Sequence, residues 1–102
     1  MVLGFLAHYQ NHDIDGMMND LAEDAQFHGS NAILNKQQIK AFLQASLKRH
    51  PNLHVEYGPP QRTHNGIEVQ VKLEGDLITR ATWLFVIKNN KINSYSIKPG
   101  TP

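Results

Sequence analysis

The side chains with the widest chemical reach in this 102-residue sequence are its six histidines and three tyrosines. His28 closes the stretch "AQFHG", and an imidazole titrates close enough to neutrality to serve as a general base or acid. The same residue reads equally as a surface or interface histidine. Tyr9 offers a phenol that could orient a ligand, or that could simply sit in a core with its hydroxyl satisfied. His8 and His12 are spaced i, i+4, a separation that holds a metal on one helix face. Zinc would need a third protein ligand, so Asp13, Asp15 or His28 would have to converge on them, and His12 falls in a turn. No metal and no cofactor are expected. His50, His54 and His64 read as a helix end, a strand surface and a loop. The absence of cysteine excludes disulfides, thiolate catalysis and thiolate metal sites. There is no glycine-rich phosphate loop, and no serine carries a nucleophile motif.

These groups must be positioned by a single small domain spanning residues 1–102. The chain is too short for two cores, and 40% apolar against 19% charged residues predicts a packed interior. Ten basic and nine acidic residues nearly cancel. Lys36, Lys40, Lys48 and Arg49, the densest basic group, read as a solvated helix face, so no nucleic-acid partner is expected. The apolar run from Trp83 to Ile87 is too short to cross a bilayer, and the start lacks a signal-peptide pattern. A soluble, cytoplasmic protein without a membrane partner is expected.

Val2, Phe5, Leu6 and Tyr9 predict a first helix, ended near Asn11 and His12. Asp13 is an N-cap for a second, whose apolar positions Ile14, Met17, Met18, Leu21, Ala22 and Ala25 follow a helical period. A short strand follows. Asn35 with Gln38 three residues on predicts a capping box opening a third helix, with Ile39, Phe42, Leu43 and Leu47 on its inner stripe and Pro51 beyond its end. From Leu53 the period changes to two. Four strands are expected, over 53–57, 67–74, 78–88 and 92–97, with Asn65-Gly66, Gly75-Asp76 and Lys88-Asn89-Asn90-Lys91 as turns. The result is an α+β fold with helices on one face of a largely antiparallel sheet. Residues 81–87 are apolar on both faces, so the face bearing Leu84 and Val86 needs a cover. A second copy of the chain is the simplest one.

The order of these elements, with the motifs "FLAHYQNHDIDGMMNDLAEDAQFHG", "NKQQIKAFLQAS" and "WLFVIKNNKINSY", resembles the nuclear transport factor 2-like superfamily, which includes SnoaL-like and ketosteroid isomerase-like proteins. The resemblance covers essentially the whole chain. It implies a cystatin-like α+β barrel: a cone-shaped, curved, mixed but mostly antiparallel sheet wrapped around three N-terminal helices. It also implies an apolar pocket at the open end and a homodimer packed through the outer sheet face.

Ketosteroid isomerase needs an aspartate base, and a tyrosine with a protonated aspartic acid to stabilise the oxyanion. By position, Phe5 stands where that tyrosine would be, Gly29 where the base would be, and Thr82 or Trp83 near the aspartic acid. None can do the chemistry. No isomerisation of a 3-oxo-Δ5 steroid above the uncatalysed rate is expected, and a steady-state assay checks this. Strand alternation turns Phe27 and Gly29 inward and His28 outward, unless a bulge at Gly29 reverses it. Phe5, Tyr9, Phe27, Phe42, Trp83 and Phe85 are the candidate pocket residues, able either to line the cone or to fill it. Three functions stay open: a module binding a small hydrophobic molecule; an isomerase-, cyclase- or dehydratase-type enzyme using His28 or Tyr9 with Glu56, Glu68 or Gln70; and a purely structural role.

Overall fold

The computed structural model describes residues 2–29, 31–75 and 78–99. The chain runs α1 (Val2–Gln10), α2 (Ile14–Asn19), β1 (Leu21–His28), β2 (Ile33–Asn35), α3 (Lys36–Arg49), β3 (His54–Tyr57), β4 (Gln61–Thr63), β5 (Gly66–Glu74), β6 (Ile78–Lys88) and β7 (Lys91–Pro99). The sheet order is β2-β1-β7-β6-β5-β3, with β4 added beside β5. Only β1 and β7 pair parallel, so the sheet is mixed and mostly antiparallel. It is curved but open: β2 and β3 end the order without pairing to each other, so the expected barrel is an unclosed one.

Local signals set several boundaries. The Asp13 carboxylate accepts from the Gly16 amide at 3.0 Å and starts α2. Asn35 and Gln38 exchange reciprocal bonds of 2.9 Å at the head of α3. Asn89 and Asn90 have φ of 54° and 64°, the left-handed pair that a two-residue hairpin needs. The left-handed residue ending α1 is His12, at φ 56°, one position after Asn11. The Asp76 half of the expected Gly75-Asp76 turn lies outside the described residues.

Two short strands, β2 and β4, add to the one and four expected before and after the third helix, and two further expectations fail. The second helix does not run on to Ala25; it stops at Asn19, and Leu21–His28 is a strand. Leu21 and Ala25 are both buried, and a spacing of four satisfies a helix and a strand alike. The partner decides between them. β1 pairs with β7, with a register shift between Leu21 and Gln26 that keeps Leu21, Ala25 and Phe27 on the inner side. Phe42 is the second. It shares the helical spacing of the inner stripe of α3, but it is 54% exposed, while Ile39, Leu43 and Leu47 turn inward.

The core lies between the concave sheet face and the helices. Phe5, Leu6, Met17, Ile39, Val55, Phe85 and Ile92 are fully buried there. Two side chains fasten the end of α1 to the β3 segment: Gln10 Nε2 donates to Val55 O at 2.9 Å, and His12 Nε2 donates to Leu53 O at 2.7 Å.

Candidate functional site

The inner faces of β1, β6 and β7 carry one continuous aromatic cluster. Phe5 meets Phe85 edge-on, with ring centroids 5.8 Å apart, and tilts against Tyr95 at 5.6 Å. Tyr95 stacks on Trp83 and on Phe85, each at 5.8 Å, and Phe27 leans on it at 4.8 Å. Tyr9 packs on Trp83 at 5.8 Å. Register explains the assembly: Phe27 lies opposite Tyr95 in the β1–β7 pair, and Tyr95 opposite Phe85 in the β6–β7 pair. Four of the six candidate pocket residues therefore fill the cone: Phe5, Phe85, Trp83 and Tyr9 are at most 4% exposed. Phe27 is half-buried at the edge of the cluster, and Phe42 stands apart on the outer side of α3.

Space remains beside Tyr9. A cavity of about 360 Å³ is bounded by Tyr9 from α1, Ser46 from α3, His50 and Leu53 from the turn after it, Leu73 from β5, Gly75 just beyond β5, and Thr79 from β6. Its volume lies in the range of roughly 300–1,000 Å³ common for small-molecule sites. Two leucines give it apolar walls, and Tyr9, Ser46 and Thr79 supply hydroxyls. Burial pushes the Tyr9 phenol up from 10.0 to about 12. Among the described residues its hydroxyl makes no hydrogen bond. Tyr95 is shifted in the same direction, first by burial and then by the nearness of Tyr9. The two phenols thus bracket Trp83 and hold their protons at any ordinary pH.

That has a consequence at high pH. An unfolded tyrosine loses its proton near 10.0, whereas folded Tyr9 keeps its own until about 12. Stability from this neutral phenol is complete below pH 10 and falls as pH rises towards 12, by at most about 1.4 kcal/mol per pH unit for each such phenol. Urea midpoints measured from pH 8 to 12 should show this decline, with a shallower slope in Tyr9→Phe.

The other candidates are not brought to this cavity. His28 is exposed at the end of β1, opposite Ile33 and Ser96. The register shift in β1 lies upstream of it, between Leu21 and Gln26, not at Gly29. His8 and His12 do not converge: His8 Nδ1 lies 3.1 Å from the Asp13 carboxylate, while His12 turns to Leu53. Glu56 lies 3.8 Å from the Lys72 ammonium, Gln70 accepts from the Thr82 hydroxyl at 3.1 Å, and Glu68 pairs across from Leu84. All three lie on the side of the sheet away from the core. Sequence reasoning missed Tyr95, Ser46 and Thr79. Tyr95 was findable, because it alternates with Ile97 on the last strand. Ser46 was findable too, one turn beyond Phe42 on α3. Nothing local marks Thr79, which reaches the cavity through its pairing with Leu73.

No protein-family model and no curated protein sequence matches the chain. Solved structures do. A candidate polyketide cyclase from Sinorhizobium meliloti superimposes with a TM-score of 0.84 at 20% identity, over 95% of this chain and 92% of that one. A nuclear transport factor 2-like protein of unknown function from Cytophaga hutchinsonii gives 0.79 at 12% identity, over 97% and 86%. The chain has the nuclear transport factor 2-like fold. A protein of ketosteroid isomerase-like fold from Catenulispora acidiphila, solved with trimethylamine, gives 0.76 at 14% identity, over 94% and 82%. Within this nuclear transport factor 2-like cone, the three positions tested for isomerase chemistry hold a buried phenyl ring, a glycine, and Thr82 beside the stacked Trp83. No helix among the described residues is long and apolar enough to cross a membrane.

Proposed function

We infer that the protein is a SnoaL-like binding module whose cavity at Tyr9 takes a compact, mainly apolar molecule carrying a hydrogen-bond-accepting oxygen. The observation that carries this reading is the Tyr9 hydroxyl. It belongs to a side chain 3% exposed, borders a cavity of about 360 Å³, and has no hydrogen-bond partner among the described residues. The hydroxyl meets solvent through the cavity (Asp20 Oδ2 is the one buried side-chain oxygen without a hydrogen-bond partner among the described residues), so a ligand oxygen would take the place of water on it. Leu53 and Leu73 would pack the ligand's body, with Ser46 and Thr79 as further polar contacts. The aromatic cluster leaves the deep cone no comparable room, so the ligand is small.

Less supports the alternative of an isomerase-, cyclase- or dehydratase-type acid–base enzyme. His28 is exposed away from the cavity, and a phenol raised to about 12 donates a hydrogen bond but does not accept a proton at neutral pH.

The proposed assembly is a homodimer through the outer sheet face. Leu84 is half-buried there and Val86 is 36% exposed, among the smaller polar residues Thr82, Ser94 and Ser96. A panel of small cyclic ketones and their hydrocarbon counterparts, tested by thermal shift with sedimentation in parallel, examines both parts. Ketones should raise the melting temperature more than the hydrocarbons do, and Tyr9→Phe should abolish the difference. Equal shifts for both classes, or none, would remove the binding reading. A monomer at micromolar concentration would remove the dimer.

A further inference from the structure

A second concavity lies at the opposite end of the same elements. The Tyr9 cavity is built on the end of α1, the end of β5 and the start of β6; this groove is built on the start of α1, the start of β5 and the end of β6. Its volume is about 780 Å³. Val2, Leu3, Ile67 and Ile87 give it an apolar floor, and the β4–β5 hairpin brings Arg62 and His64 to its edge. Leu3 is 43% exposed, so a large apolar side chain here has no protein cover.

The charges around it are one-sided. None of the lining residues is an Asp or a Glu. The first turn of α1 contains no acidic residue, and its amide groups add partial positive charge at the same end. Arg62 makes no ion pair among the described residues.

Register explains why the guanidinium is here. Arg62 lies directly opposite Ile67, and Ile67 lies opposite buried Phe85, so Arg62 shares the concave side of the sheet. Along the middle of β5 and β6 that side is apolar: Val69, Val71, Trp83 and Phe85 are all buried. One cation over an apolar floor, with no counter-charge, is complementary to a molecule with an apolar body and a single anionic end. The planar fork of arginine suits both carboxylate and phosphate oxygens, but one guanidinium balances the single charge of a carboxylate and leaves the second charge of a phosphate monoester unmatched.

We propose that this groove binds a small amphipathic carboxylate, its apolar body on Val2, Leu3, Ile67 and Ile87 and its carboxylate on the Arg62 guanidinium. The site is separate from the Tyr9 cavity and does not depend on the function inferred there. An inward-pointing charge on a short strand has one other explanation, protection of a sheet edge against pairing with another chain.

The test uses decanoate and decanol as probes, followed by amide chemical shifts and by calorimetry on the intact chain. Decanoate should bind saturably, shifting amides of residues 2–3, 62–67 and 86–87. Decanol, which keeps the tail and lacks the charge, should bind about tenfold more weakly or worse, and Arg62→Gln should bring decanoate down to the level of decanol. The comparison of the two probes on the unaltered protein needs no variant, so it stands even if Arg62→Gln folds poorly. Equal affinity for the two probes would overturn the proposal. So would decanoate shifts confined to Tyr9, Ser46 and Thr79, or an Arg62→Gln variant that aggregates while keeping full affinity for decanoate, which is the result that edge protection requires.

Discussion

Replacing Phe85 with alanine is expected to destabilise the fold by about 3–5 kcal/mol, the usual cost of deleting a buried aromatic ring. Phe85 is completely buried and meets three rings: Phe5 edge-on at 5.8 Å, Tyr95 stacked at 5.8 Å and Trp83 at 6.2 Å. Those three come from a helix and two strands, so the hole cannot be closed by moving one of them alone. Small domains hold roughly 5–15 kcal/mol in total, so the variant should be partly unfolded at room temperature or close to it. Urea unfolding followed by tryptophan fluorescence reads this directly, since Trp83 borders the hole. Phe85→Leu keeps most of the volume and should cost much less. If Phe85→Ala unfolds within about 1 kcal/mol of the unaltered protein, the cluster is not a packed core but a loose lining, and the deep cone would be open to ligands.

The second large effect is expected at Gly66, the first residue of β5. Its φ is +143°, a conformation that residues with a side chain rarely adopt, and a Cβ there would stand 2.3 Å from the Phe85 carbonyl oxygen. The backbone conformation alone is worth about 1–3 kcal/mol against any other residue. The collision adds to that, because its target is main chain in the middle of a ladder and no rotamer change can relieve it. Gly66→Ala should therefore shift the β4–β5 hairpin and lower the melting temperature clearly. The control is Gly58→Ala, where a Cβ would meet nothing within 4 Å, and its melting temperature should be nearly unchanged. Equal melting temperatures for both variants would mean that the hairpin adjusts freely. The consequence reaches the proposed carboxylate groove, because Arg62, His64 and Ile67 all hang on this turn.

How far the sequence carried depends on whether a feature was settled locally. The Asn35–Gln38 capping box, the Asp13 cap and the Asn89-Asn90 turn were legible because each is decided within four residues by its own hydrogen bonds or φ preference. The inward alternation of Trp83 and Phe85 came from the family resemblance instead, since residues 81–87 are apolar on both faces and their pattern alone does not choose the inner one. Leu21 to Ala25 was not legible as strand, although the strand end at Phe27 and His28 was. The apolar spacing there suits either period, and pairing selects the strand: with the neighbouring β2 at residues 26–28, and with β7, about seventy residues later, from Leu21 onward. Phe42 misled for a related reason: a helical stripe says which residues share a face, not how wide the buried part of that face is. α3 meets its neighbours along Ile39, Leu43 and Leu47, and Phe42 falls outside that line.

By itself the sequence determined the class of fold, the Asp13 and Asn35 caps, the Asn89-Asn90 turn and the lack of thiol chemistry, because residue identity and short-range geometry suffice for each of these; the lack of an isomerase's carboxylates is what the family resemblance implies. Tertiary structure alone decided that the aromatic residues fill the cone, that Tyr9 meets Ser46 and Thr79 around a cavity, and that Arg62 stands over an apolar floor. Each of these is a meeting of side chains far apart in the chain. Its outcome rests on strand register and sheet curvature, which no stretch of the sequence encodes on its own.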